Sequence, residues 1–133
     1  MARRRSMPTA SLAGAPSERA QLARLNGGDI VELDVRELSE LAEFSKTESV
    51  RKILYETRTF NVVLVCLETG QEISPHPESY DVCFYVIDGE GTFTVGDRQI
   101  DLNKGSMIFA PENITRGMKS KERLTLLGIQ EPH

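Results

Sequence analysis

No apolar run in this 133-residue chain approaches the roughly 20 residues needed to cross a bilayer, so the sequence is read as that of a soluble protein. Cysteine is scarce: Cys66 and Cys83 alone make no disulfide framework of the kind that staples small secreted domains. Both lie inside apolar, strand-like runs, NVVLVCL and DVCFYVI, where unpaired structural thiols pack. Neither flank offers a basic residue to lower a catalytic thiol's pKa. A reducing compartment, and hence a cytoplasmic location, is the expectation. Histidine is as scarce. His133 has no motif around it and is expected in solvent, which leaves His76 as the one histidine with chemical context.

Negative charge is missing from one end of the chain. Residues 1–27 hold Arg3, Arg4, Arg5, Arg19 and Arg24 against Glu18, so the net charge of -4 divides into +4 there and -8 in the rest. An acidic body repels phosphate backbones, which argues against nucleic-acid binding. The opening segment also lacks the apolar stretch of a secretory signal. Its Arg-, Ser- and Ala-rich composition is similar to that of an organellar transit peptide, but it is read as a disordered tail. A short helix is expected within it at PSERAQLARL, with Ser17 as cap and Glu18 in the first turn. The length suits one domain with a modest core, and NGG at 26–28 is taken as its boundary, giving a tail over 1–27 and a domain over 28–133.

What the sequence has in quantity is strand. IVELDV alternates apolar and acidic residues, RELSELAEF switches briefly to helical spacing, and nearly everything after residue 49 reads as β. VRKILYET, TFNVVLVCLE, YDVCFYVI, GTFTV, RQIDL, SMIFA and RLTLLGI are divided by the turn signals ETGQ, DGEG, VGDR, NKG and PEN. Short strands at close spacing without long helices predict an all-β antiparallel sandwich or small barrel. Gly70, Gly89, Gly91, Gly96 and Gly105 fall at the expected strand ends, and Asn113 is a residue type that tolerates the left-handed backbone of a turn.

Two stretches carry a resemblance. Gly70, His76, Glu78, Val82 and Gly89 stand at the spacing of the first cupin motif, in which positions 76, 78 and 82 would be two histidines and a glutamate. Gly105, Pro111, Asn113, Arg116 and Ser120 stand at the spacing of the second, with Arg116 where that motif has its histidine. Over roughly residues 45–130 the chain therefore resembles a small single-domain cupin. The resemblance implies a double-stranded β-helix, or jelly-roll, barrel, preceded here by a short N-terminal helical extension, and homodimers built from packed sheet faces.

The resemblance also implies a metal held by three histidines and a glutamate, and here the chain departs from it. Only His76 keeps its identity. Glu78 could still coordinate a hard or borderline ion, Val82 offers no donor, and Arg116 would repel a cation. Asp81, one residue from the glutamate position, would need a β-bulge to turn inward. No metal and no other cofactor is expected. If Arg116 projects into the barrel, its charge must meet an anion, either Glu78 or a ligand; the alternative places it at the rim, facing outward. With Val82 inward, Phe84 and Val86 follow inward, while Cys83, Tyr85 and Ile87 face a second surface that is expected to be covered.

The leading functional expectation is a small-molecule-binding or accessory protein with a degenerate metal site, taking an anionic ligand at His76, Glu78, Val82, Phe84 and Arg116. The competing one is a metal-dependent dioxygenase or isomerase using His76 and Glu78 as a reduced ligand set. Metal-free acid–base chemistry at that same pair is a third.

Overall fold

A computed structural model describes residues 21–133, and the expected helix start at Ser17 and Glu18 lies outside the described residues. The described residues begin with a hairpin of β1 (Gln21–Arg24) and β2 (Ile30–Leu33), followed by α1 (Leu38–Leu41). Then come β3 (Val50–Glu56), β4 (Asn61–Leu67), β5 (Glu72–Pro77), β6 (Val82–Asp88), β7 (Glu90–Val95), β8 (Arg98–Asn103), β9 (Met107–Ala110), β10 (Thr115–Ser120) and β11 (Leu124–Gln130). Among the described residues no helix is long and apolar enough to cross a membrane.

Two antiparallel sheets make the barrel, a five-stranded one in the order β3-β4-β11-β6-β9 and a four-stranded one in the order β5-β10-β7-β8. Val63, Val65, Leu67, Val86, Leu124 and Leu126 of the large sheet meet Phe93 and Met118 of the small one in the barrel interior. Each of those side chains contributes about 1.5–3 kcal/mol by leaving water. A second core lies on the outside of the large sheet, where Leu38, Leu41 and Phe44 pack over Leu54, Leu64 and Cys66. Alternation along β6 holds: Val82 and Val86 are buried and Phe84 packs inward, while Tyr85 points outward. That outer surface was expected to be covered throughout; Ile87 is covered, but Tyr85 is exposed.

Several local expectations are corrected. The Asn26–Gly28 stretch, expected to close a tail, turns the β1–β2 hairpin instead, with Asn26 and Gly27 both at positive φ. Asn–Gly suits such a turn because both residues reach the left-handed region cheaply. The helix expected over RELSELAEF shortens to one turn: Glu37 supplies no side-chain cap, and Ala42 is already extended. Asn113 does adopt positive φ, as do Gly70, Gly89, Gly96 and Gly105, but Gly91 does not. At Gly91 the need is for space, since a Cβ would stand 2.6 Å from the Lys119 carbonyl oxygen.

Besides β1, which falls in the segment expected to be helical, two strands of the barrel were not expected. β5 and β10 carry His76 and Arg116, and they pair with each other. β5 lies at a sheet edge, where Pro75 and Pro77 interrupt no ladder that the fold needs. The register shifts between Arg116 and Met118 because β5 carries one extra residue there, so that Ser74 and Pro75 stand against Gly117 alone. A Cβ on Gly117 would stand 2.7 Å from the Ile73 carbonyl oxygen and from Pro75 backbone atoms, so glycine lets the two strands approach.

Candidate functional site

That approach places His76 directly across from Arg116, so both side chains share the inner face at one end of the barrel. Opposite them, on the large sheet, Val82 is in register with Gln130, and Gln130 in turn with Asn61. The β5–β6 loop carries Glu78 and Tyr80 into the same end, and a hydrogen bond from the Asn113 amide to the Glu78 carbonyl ties it to the β9–β10 loop. His76, Glu78, Val82 and Arg116 thus converge on one mouth. Phe84 lies deeper, its ring 6.1 Å from that of Phe93 in the core.

Arg116 is turned inward and only 6% exposed, so it is not a rim residue facing outward. The expected internal pair with Glu78 is absent. The guanidinium donates from Nη2 to the Pro111 carbonyl at 2.7 Å and from Nε to the Ile114 carbonyl at 3.2 Å. Its Cζ lies 5.3 Å from the centre of the Tyr80 ring. Nη1 is buried with no hydrogen-bond partner. Glu78 turns instead to His76, its Oε2 at 2.7 Å from Nε2, because both are half exposed and the imidazole is the nearer cation.

His76 Nδ1 lies 2.8 Å from the Ser74 carbonyl oxygen, so both ring nitrogens face acceptors. This geometry favours the imidazolium. The Ser74 carbonyl and then Glu78 raise the His76 pKa above its ordinary value, against the smaller pull of partial burial and the Arg116 charge. Tyr80 has its phenol pKa raised, chiefly by burial and then by the Glu78 charge, with Arg51 and Arg116 opposing. Its ring also stacks on His133, centroids 3.9 Å apart, so the exposed His133 is not without contacts. Asp81 stays outside the barrel, where its Oδ1 accepts from the Glu112 amide.

Sequence reasoning passed over Tyr80, Gln130, Asn61 and Arg51. Arg51 Nη2 donates to Gln130 Oε1 at 3.0 Å, and Asn61 Oδ1 is buried without a partner. A signal for Gln130 and Asn61 was present, since each continues the inward alternation of an otherwise apolar strand. As for donors, Val82 has none, Arg116 is cationic, and both His76 nitrogens are engaged. Among the described residues no three His, Cys, Asp or Glu side chains form a group that could hold a metal ion.

Residues 63–129 match the family described as "Cupin domain", half of the chain. The chain belongs to the cupin family. Solved structures share the cupin barrel. One is TT1209 from Thermus thermophilus, with a TM-score of 0.71 at 22% identity over 75% of this chain and 98% of that one. An RmlC-like cupin from Desulfovibrio desulfuricans gives 0.69 at 24% identity over 75% and 97%. A protein with a double-stranded β-helix domain from Klebsiella pneumoniae gives 0.70 at 24% identity over 76% and 91%. At these identities the likeness is one of fold. No curated protein matches this cupin.

Proposed function

We propose that this cupin is a small-molecule-binding or accessory protein with a degenerate metal site, and that it takes an anionic ligand at the barrel mouth. The observation that carries the reading is the buried Arg116 guanidinium, which meets two carbonyls but no carboxylate and keeps Nη1 unpartnered. A buried cation without a counter-charge is costly, and a ligand carboxylate or phosphate supplies the charge through the planar fork. The His76 imidazolium and Arg51 add positive potential, and Glu78 offsets part of it. Tyr80, Gln130 and Asn61 supply neutral hydrogen-bonding groups for the remainder of the ligand.

The donors do not fit a divalent ion. A histidine with both nitrogens committed, one carboxylate bound to it and a guanidinium across the strand fall short of the three or four donors of a stable site. Calorimetric titration with inorganic phosphate and with a panel of small mono- and dicarboxylates tests the reading. At least one of these anions is expected to bind the parent saturably and to lose binding in Arg116→Met. Equal binding by parent and variant, or a stoichiometric, chelator-resistant transition metal in the purified protein, overturns it.

A further inference from the structure

Two buried polar atoms at the barrel mouth lack hydrogen-bond partners: Arg116 Nη1, a donor, and Asn61 Oδ1, an acceptor. Both residues are only 6% exposed. Such orphans are rare, because the water they gave up has not been replaced. The anion proposed above answers the first and leaves the second. Packing does not require an asparagine at this place. Position 61 opens β4, and the inward residues that follow, Val63, Val65 and Leu67, are all core, so valine or leucine would continue the stripe without a polar atom to satisfy. The remaining orphans among the described residues, Asp34 Oδ2 and Arg36 Nη2, belong to an ion pair beside Tyr55 on the outside of the large sheet.

Asn61 and Arg116 approach the mouth from opposite walls. Asn61 stands on the large sheet beside Gln130, and Arg116 on the small sheet across from His76. Gln130 is turned to Arg51, its Oε1 accepting from Nη2 at 3.0 Å, and leaves Asn61 unmet. Tyr80 joins the two walls, because its phenol responds to Arg51 and Gln130 of one sheet and to Arg116 of the other. Packed sheets lie about 10 Å apart, and both side chains reach into that gap, so a ligand that touches the two orphans spans a few bonds only.

We propose, building on the anion site above, that the ligand is a short hydroxy acid whose carboxylate pairs with Arg116 and whose hydroxyl meets Asn61. A keto or ether oxygen only accepts, and so cannot satisfy Oδ1. An ammonium group donates, but the Arg116 and Arg51 guanidiniums already make this end of the barrel positive. A hydroxyl donates without adding charge. Because it also accepts, it meets the Asn61 amide whichever of its two polar ends is turned inward. A site built around such a contact rejects the analogue that lacks the hydroxyl, since its own buried group is then left unpaired.

Calorimetric titration of the full chain with matched acids tests this: each enantiomer of lactate against propionate and alanine, and each enantiomer of malate against succinate. At least one hydroxy acid is expected to bind about 10-fold or more tightly than its deoxy analogue. In Asn61→Leu the difference is expected to vanish, the hydroxy acid falling to the affinity of the deoxy acid and the latter keeping its own, whereas Arg116→Met loses both. That split separates a contact to the hydroxyl from general damage to the mouth. If Asn61→Leu fails to fold by circular dichroism, Asn61→Val replaces it. Deoxy acids that bind the parent as tightly as hydroxy acids overturn the proposal and leave the anion site standing. So do alanine binding more tightly than lactate, phosphate binding with no carboxylate, and a folded Asn61→Leu that keeps the preference. Failure of every carboxylate and of phosphate to bind overturns both.

Discussion

Arg116 occupies an interior position at an energetic disadvantage: it is desolvated, bonded to two neutral carbonyls, and left with one nitrogen unsatisfied. Methionine has a similar length and no charge to desolvate, and replacing buried ionic groups with apolar ones of like volume is often neutral or stabilising. Arg116→Met should therefore keep the melting temperature of the parent or raise it by a few degrees, measured by calorimetry without added anions. A drop above about 5 °C would make the guanidinium a structural pin for the Pro111 loop. The His76–Glu78 pair predicts differently, because both side chains are substantially exposed. Glu78→Ala should cost under about 1 kcal/mol in denaturant unfolding. It should also move the imidazole titration downward, read by NMR. With the folded His76 pKa raised, its contribution to stability is complete below the unfolded value of about 6.5 and lost as pH rises through the higher folded value. Anion affinity should follow the same course, stronger at pH 6 than at pH 9, and His76→Gln should flatten the profile.

At the scale of elements, the site depends on how closely β5 and β10 approach. Gly117→Ala would drive a methyl group against the Ile73 carbonyl and the Pro75 backbone, which cannot move aside as a flexible side chain would. A cost of about 1–3 kcal/mol is expected, with exchange of β5 amides accelerated more than that of β4 or β11. Equal acceleration everywhere would show that β5 holds its place without the glycine. These are also the strands that sequence reasoning passed over. EISPHP reads as a loop because its prolines count against a strand, yet an edge strand has one side free of ladder bonds. TRGMKS shows no apolar alternation because Met118 is its one large apolar residue, and the inward position before it holds Arg116. By contrast β4, β6 and β11 were legible, since their apolar residues are buried between two layers and local pattern matches tertiary demand. The glycine and proline frame pointed to His76 and Arg116, which stand opposite each other on β5 and β10, but Arg116's partners were not legible. Backbone carbonyls leave no mark in a side-chain pattern, and neither does the choice of Glu78 between two nearby cations. The hairpin was missed for a related reason: NGG is equally a turn and a boundary until the pairing of its flanks is known.

The whole molecule is organised around β11, which lies between β4 and β6 and belongs to both cores through Leu126 on one face and Leu127 on the other. β4 and β6 do not pair with each other, so the large sheet has no continuous centre until a strand more than fifty residues beyond β4 arrives. Joining them requires closing long loops before any burial offsets the lost chain entropy. Leu126→Ala, at a fully buried position, should cost about 2–5 kcal/mol. It should slow refolding as well as speed unfolding, read from stopped-flow chevrons. A change confined to the unfolding limb would place β11 docking after the barrier. If β11 is the keystone, the chain folds in a single late event, on the millisecond-to-second scale of barrels built from distant pairings. Until then the apolar strands β4 and β6 wait as unpaired edges, the interval in which such a chain is most exposed to aggregation and has most need of a chaperone.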